Sequence, residues 1–249
     1  MSLRAADLLI PDWPAPANVH ACVTTRAGGV SAAPFDALNL GAHVGDDPAA
    51  VAENRHRLLA LLDCRAAWLE QVHGVVVVEA DPSRVLEADA SWSSTPGVAC
   101  TVMTADCLPV LFCDRAGTRV AAAHAGWRGL VAGVLEASVA ALGCPAAEVL
   151  AWLGPAIGPQ AFEVGAEVRE AFVARHPEAA AAFVPSANPG RFMADLYHLA
   201  RMRLAAAGVS AVYGGGLCTF TDAARFYSYR RASRTGRQAS LVWLEPARP

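Results

Sequence analysis

Apolar positions in this chain fall into short blocks separated by Gly, Pro, Asp and Ser, a spacing that suits strands better than long helices. The pattern predicts strands at residues 19–23, 75–78, 98–103, 107–113, 120–124, 149–153, 209–213 and 240–244. Between them lie stretches with helical spacing. Gly45-Asp-Asp-Pro48 opens one, with Asp47 as N-cap and Pro48 as the first helical residue, and its apolar stripe is Val51, Leu58, Leu59 and Leu62. A second is expected over residues 130–142, stopped by Gly143. A third follows Gly165, with Val168 and Phe172 inward, and a fourth is capped by Asp195 and carries Leu196, Leu199 and Leu204. Several strand pairs are too close in sequence to admit a crossover helix. The expected class is therefore α+β, with mixed, largely antiparallel sheets covered by helices.

The densest stretch is residues 101–130. Cys107-Leu-Pro-Val-Leu-Phe-Cys113, the turn Asp114-Arg-Ala-Gly117 and residues 120–124 read as a hairpin. A two-residue turn centred on Arg115-Ala116 places Cys107 directly opposite His124, with both side chains on one face. Such a pair can be two metal ligands, a nucleophile with its base, or a buried thiol beside a hydrogen-bonded core histidine.

Composition narrows the field. The chain has 249 residues and a net charge of −3, which gives no general electrostatic case for nucleic acid or an anionic membrane. Basic charge is carried by Arg alone, with no Lys in the chain and no basic block, so any anion site must be local. No apolar run is long enough to span a bilayer, and the N-terminus lacks the core and cleavage site of a signal peptide. Seven Cys form no regular framework, and the expectation is reduced thiols in one cytoplasmic domain over residues 1–249.

His73, beside Gly74 at a strand corner, joins Cys107 and His124 as a third residue of interest. Zinc accepts His nitrogen and Cys sulfur, and catalytic zinc sites keep three protein ligands and one open position. The spacing matches neither CxxC fingers, nor HExxH proteases, nor zinc nucleobase deaminases. Two further corners can bind an anion or serve only as turns: Gly28-Gly29 beside Arg26, and Gly126-Trp-Arg-Gly129 with Arg128.

At the level of whole motifs the chain resembles the multicopper polyphenol oxidase (laccase-like) family, whose bacterial members are regarded as purine nucleoside phosphorylases. The resemblance rests on Asn39-Leu-Gly-Ala-His-Val-Gly-Asp-Asp-Pro48, Glu53-Asn-Arg55, Trp68-Leu-Glu-Gln-Val-His-Gly74, Thr104-Ala-Asp-Cys-Leu-Pro109 and Ala123-His-Ala-Gly-Trp-Arg-Gly129. It continues through Leu153-Gly-Pro-Ala-Ile-Gly-Pro159, Phe162-Glu-Val-Gly165, Ser228-Tyr-Arg230 and Thr235-Gly-Arg237. It implies a layered α/β/β/α sandwich and zinc held by His73, Cys107 and His124. It also implies phosphorolysis of adenosine, inosine, guanosine and 5′-methylthioadenosine, together with adenosine deamination.

Phosphorolysis needs an anion site beside the ribose C1′. Arg26, Arg55, Arg128 and Arg230 are candidates, and Arg55 and Arg230 are favoured because they lie in matched motifs. Asn39 and His43 are expected to face ribose or base. Glu163 and Asp106 are candidate proton carriers for deamination, with Asp106 better suited to a structural role. Three other classes remain open. Copper-dependent phenol oxidation fits a His/Cys donor set, but seven His contain no His-x-His pair. A metal-free cysteine hydrolase would use Cys107 and His124, on substrates such as peptidoglycan precursor peptides. A binding protein would use none of these residues chemically.

Overall fold

The computed structural model describes residues 3–245. Its principal strands are Leu8–Leu9 (β1), Val19–Thr24 (β2), Arg65–Ala67 (β3), Val77–Glu79 (β4), Ala90–Ser93 (β5), Val98–Thr104 (β6), Leu108–Asp114 (β7), Val120–Ala125 (β8), Val149–Leu153 (β9), Ala211–Gly214 (β10) and Gln238–Leu244 (β11). They form two sheets, ordered β1-β2-β11-β6-β3 and β10-β9-β7-β8-β5-β4. Pairing is antiparallel except where β3 joins β6, β10 joins β9 and β4 joins β5.

Alternation along the strands assigns each side chain to a layer. Val110 and Phe112 of β7, with Ala121 and Ala123 of β8, face one core, while Leu111, Cys113 and Ala122 face another. Both faces are buried, so β6, β7, β8 and β11 read as continuous apolar runs despite their antiparallel pairing. The central core lies between the sheets, where Val23, Cys100, Val102 and Val242 of one meet Leu111, Leu150 and Trp152 of the other.

Helices cover the outer faces. Pro48–Leu61 (α1) lays Leu58, with Leu59 and Leu62, on Cys22, Ala99 and Leu241 of the first sheet. Trp127–Ala132 (α2), Val134–Ala141 (α3), Ala166–Val173 (α4) and Leu196–Ala206 (α5) cover the second, with Leu130, Leu135, Phe172 and Leu204 at the contact. The result is the expected α/β/β/α sandwich. Among the described residues, no helix is long and apolar enough to cross a membrane.

The predicted caps are present. Asp47 accepts the Ala49 N–H at 2.9 Å, and Asp195 accepts the His198 N–H at 3.0 Å. The expected helix over 130–142 instead begins at Trp127 and breaks at Gly133, whose left-handed backbone (φ 112°) ends α2 and starts α3. The strand expected from residue 75 begins at Val77, because the backbone donors of residues 72–74 are turned toward a side chain described below.

The hairpin register also differs from expectation. The loop spans residues 115–118, so Cys113 pairs with Val120 and Pro109, not Cys107, lies opposite His124. The Asp114–Gly117 turn does form, with the Gly117 N–H donating to the Asp114 carbonyl, but Gly117 (φ 66°) leads into one more residue before pairing starts. The Asp114 carboxylate stabilises this longer loop by accepting from the N–H groups of Thr118 and Arg119. The register moves by two residues, an even number, so each side chain keeps its face.

Candidate metal centre

Cys107 stands one residue before β7, at the open end of the layer between the sheets. The residue before it, Asp106, has a left-handed backbone (φ 96°), uncommon for a residue with a side chain. Three bonds hold it there. Its Oδ1 accepts from the Thr219 hydroxyl at 2.7 Å, its Oδ2 from the Arg230 N–H at 2.7 Å, and its carbonyl from the Ile157 N–H at 2.9 Å. Asp106 is thus occupied in shaping the bend that presents Cys107.

His124 is buried near the end of β8 and points between the sheets. His73 arrives from the connection before β4 and also has a left-handed backbone (φ 62°). Its ring meets the His124 ring edge-on, with centroids 4.7 Å apart, and its Nε2 lies 3.8 Å from Cys107 Sγ. The ligand-type atoms of His73, Cys107 and His124 all lie within 4.8 Å of one another. Gly126 leaves room behind them. A Cβ there would meet His73 Cδ2 at 2.8 Å and Cys107 Sγ at 3.1 Å.

One participant is missing from the sequence reading. Asp89, fully buried just before β5, sets its Oδ1 2.8 Å from His124 Nδ1 and accepts N–H groups from residues 72–74. The only sequence signal is an acid flanked by Ala88 and Ala90 at the entrance to an apolar strand.

Burial pushes the Cys107 thiol up, but the charge on His124 and hydrogen bonds with His124 and His73 more than offset it, bringing the thiol to about 6. Burial lowers His124, while the Cys107 thiolate and the Asp89 carboxylate raise it to about 9. In the metal-free pair both shifts run toward thiolate and imidazolium, each charge favouring the other. A soft thiolate, two imidazoles and a carboxylate behind one of them suit zinc, and the donor set also suits copper.

The three residues line a cavity of about 380 Å³, shared with His43, Trp127, Phe162 and three arginines, Arg128, Arg230 and Arg237. Arg230 Nη1 donates to the Glu163 carbonyl at 2.9 Å. Arg237 Nη1 donates to the carbonyls of Thr235 and Gly236, both at 3.0 Å. Burial, then the charges of Arg237 and Arg55, lower the pKa of His43, which keeps its ring neutral at pH 7.

Arg55 and Asn39, expected at the substrate, stand behind this lining. Arg55 donates to the Leu40 carbonyl through Nε and Nη2 at 3.0 and 2.8 Å and lies 4.0 Å over the Trp68 ring. Asn39 bonds Gly41, Asp46 and the Arg237 N–H. Both hold the loop that carries His43. Arg26 pairs with Asp36, and the Glu163 carboxylate accepts from Ser186 and Asn188; neither residue lines the cavity. Arg237 belongs to the quoted Thr235-Gly-Arg237 motif but was not among the anion candidates.

A family model described as multi-copper polyphenol oxidoreductase laccase matches residues 20–245. A purine nucleoside phosphorylase of Pseudomonas aeruginosa is 78% identical over 237 residues, covering 95% of this chain and 98% of that protein. The purine nucleoside phosphorylase YfiH of Escherichia coli is 57% identical over 241 residues, with 95% and 98% covered. A crystal structure of a Neisseria meningitidis protein of the DUF152 family superposes with a TM-score of 0.94 at 54% identity, covering 96% of this chain and 99% of that one.

Proposed function

The chain belongs to the multi-copper polyphenol oxidoreductase laccase family, and on that premise we propose that it is a zinc-dependent purine nucleoside phosphorylase that also deaminates adenosine. The relatives that carry the name purine nucleoside phosphorylase support an enzyme acting on nucleoside and phosphate. The observation that carries the reading is the convergence of His73, Cys107 and His124 on the wall of a cavity that also holds three arginines. The substrates are adenosine, inosine, guanosine and 5′-methylthioadenosine. Seven free thiols suit a reducing cytoplasm.

His73, Cys107 and His124 would hold the zinc, which when bound supplies a Lewis acid at the cavity wall. Arg230 and Arg237, with Arg128 at the rim, hold the phosphate by charge and by paired donors. Phosphorolysis breaks the C1′–N9 bond and forms a C1′–O bond to phosphate, so the anion must wait on the sugar side of the pocket. Neutral His43 offers a hydrogen bond to ribose or base. Trp127 and Phe162 give apolar wall for the purine and exclude water from C1′. Arg55 and Asn39 act indirectly, by fixing the loop of His43 and the backbone of Arg237.

The test is product analysis with each nucleoside, with and without phosphate. Free base plus ribose 1-phosphate supports phosphorolysis; inosine from adenosine supports deamination. Zinc-loaded protein that turns over none of these nucleosides sinks the reading.

A second reading has one observation in its favour. Cys107, His124 and Asp89 stand in the order of a thiol nucleophile, its base and the carboxylate that orients the base. A metal-free hydrolase of this kind keeps its activity under complete chelation and loses it on thiol alkylation.

A further inference from the structure

Asp89 meets both histidines of the cluster at once. Its Oδ1 accepts the His73 N–H at 2.9 Å and lies 2.8 Å from His124 Nδ1. Its Oδ2 accepts the Gly74 N–H at 2.5 Å and the Val72 N–H at 3.2 Å. Its main-chain carbonyl accepts the His124 N–H at 2.7 Å, and its own N–H donates to the Val76 carbonyl at 3.1 Å. The carboxylate therefore stands in a nest of three consecutive backbone donors and one imidazole, with no exposure to solvent.

We infer that Asp89 is the positioning residue of the metal centre: one carboxylate fixes the tautomer and direction of the His124 ring and, through the 72–74 backbone, the place from which His73 reaches the site. The inference rests on the zinc reading above.

Two physical requirements lead to it. A histidine that ligates through Nε2 must carry its proton on Nδ1, and a carboxylate facing Nδ1 selects that tautomer. His73 needs a different kind of help. Its left-handed backbone costs about 1 kcal/mol or more for a residue with a side chain, and persists only where surrounding bonds over-determine it. The Asp89 oxygens supply those bonds on both sides of the strained residue.

An asparagine at this position would keep one acceptor oxygen. If that oxygen serves His124 and His73, the amide NH2 is set against the N–H groups of Val72 and Gly74, donor facing donor. The turn would then open and withdraw His73. An effect on His73 from a substitution that does not touch its side chain is the distinctive consequence.

The experiment is zinc affinity by competition with a chromophoric chelator, on the full chain. It compares wild type, Asp89→Asn, His73→Ala and the double variant, with circular dichroism to confirm folding. Asp89→Asn is expected to weaken zinc about 10- to 100-fold, the usual effect of removing an outer partner. On the His73→Ala background the same substitution should cost clearly less, because the ligand presented by the turn is already gone. Wild-type affinity in Asp89→Asn, or an equal effect on both backgrounds, overturns the inference. A wild type that takes up no zinc removes the zinc reading itself and is recognised before any variant is compared.

Should Asp89→Asn fail to fold, the zinc-loaded wild type still decides. Long-range 1H–15N spectra of its histidines should show the His124 proton on Nδ1. A proton on Nε2 overturns the proposal.

Discussion

Asp106 accepts the backbone N–H of Arg230 at 2.7 Å, joining the residue that bends the chain into Cys107 to the loop that carries a cavity arginine. Its other oxygen takes the Thr219 hydroxyl at 2.7 Å. The Cys107 side and the Arg230 side of the cavity are thereby held at a fixed separation by one buried carboxylate. Asp106→Asn should be tolerated, since its oxygen can serve Arg230 and its amide can donate to Thr219, which can accept. Asp106→Ala leaves the buried Thr219 hydroxyl without its acceptor and the Arg230 N–H without its partner, and should cost about 1–3 kcal/mol in denaturant unfolding. It should also raise the phosphate KM. Equal stability of the two variants would contradict this account of the bend.

The cluster should make Cys107 a reactive thiol of the metal-free protein, beside Cys218, where bonds with Thr221 and the Gly158 N–H outweigh burial and also lower the thiol. Its thiolate dominates above about 6, whereas burial holds Cys100 and Cys113 near about 12. Iodoacetamide modification followed against pH should therefore show a midpoint near about 6 at Cys107. His124→Ala removes the charge that chiefly lowers the thiol, so the midpoint should move upward. Zinc should protect the thiol. Uniform labelling of several cysteines at neutral pH would argue against the arrangement.

Gly126 tests the space behind the ligands. Its backbone (φ −62°, ψ 157°) is ordinary for alanine, so Gly126→Ala should fold normally. The added Cβ would nevertheless stand 2.8 Å from His73 Cδ2 and 3.1 Å from Cys107 Sγ. Zinc affinity should fall by about tenfold or more, the scale on which small displacements disturb a metal site. An unchanged affinity would mean that the ligands have slack.

The arginines separate by role. Arg237→Ala and Arg230→Ala should raise the phosphate KM by about tenfold or more, the loss expected for charge-assisted bonds of about 1.5–3 kcal/mol. Arg55→Ala should act mainly on stability, by about 1–3 kcal/mol, because its guanidinium serves the Leu40 carbonyl and the Trp68 face. Steady-state kinetics with varied phosphate, beside urea unfolding, reads both. A large phosphate KM for Arg55→Ala with unchanged stability would reverse the assignment.

The fold class is legible in the apolar pattern because strands buried on both faces leave nearly unbroken apolar runs, and because Asp47-Pro48 and Asp195 mark helix starts locally, whereas the α/β/β/α layering follows only from the family resemblance. The face shared by Cys107 and His124 is legible from parity alone, which survives a register error of two. That error arose from one residue after Gly117, where the Asp114 carboxylate lengthens the loop. Side-chain destinations are less legible. Arg55 and Arg237 look alike in sequence, yet one lies on Trp68 and the other on the cavity, because that choice is made by contacts distant along the chain. Asp89 leaves almost no signal, since its partners lie on segments around residues 73 and 124 that only the fold brings together.

The central claim is that the His73–Cys107–His124 centre serves nucleoside phosphorolysis through a bound metal. The most direct measurement is zinc titration into exhaustively chelated protein while ribose 1-phosphate formation from adenosine or inosine is followed. The account predicts negligible activity without metal, a linear rise to a plateau at one equivalent, and no recovery in Cys107→Ser. Full phosphorolysis in the chelated protein, or in Cys107→Ser, would contradict it.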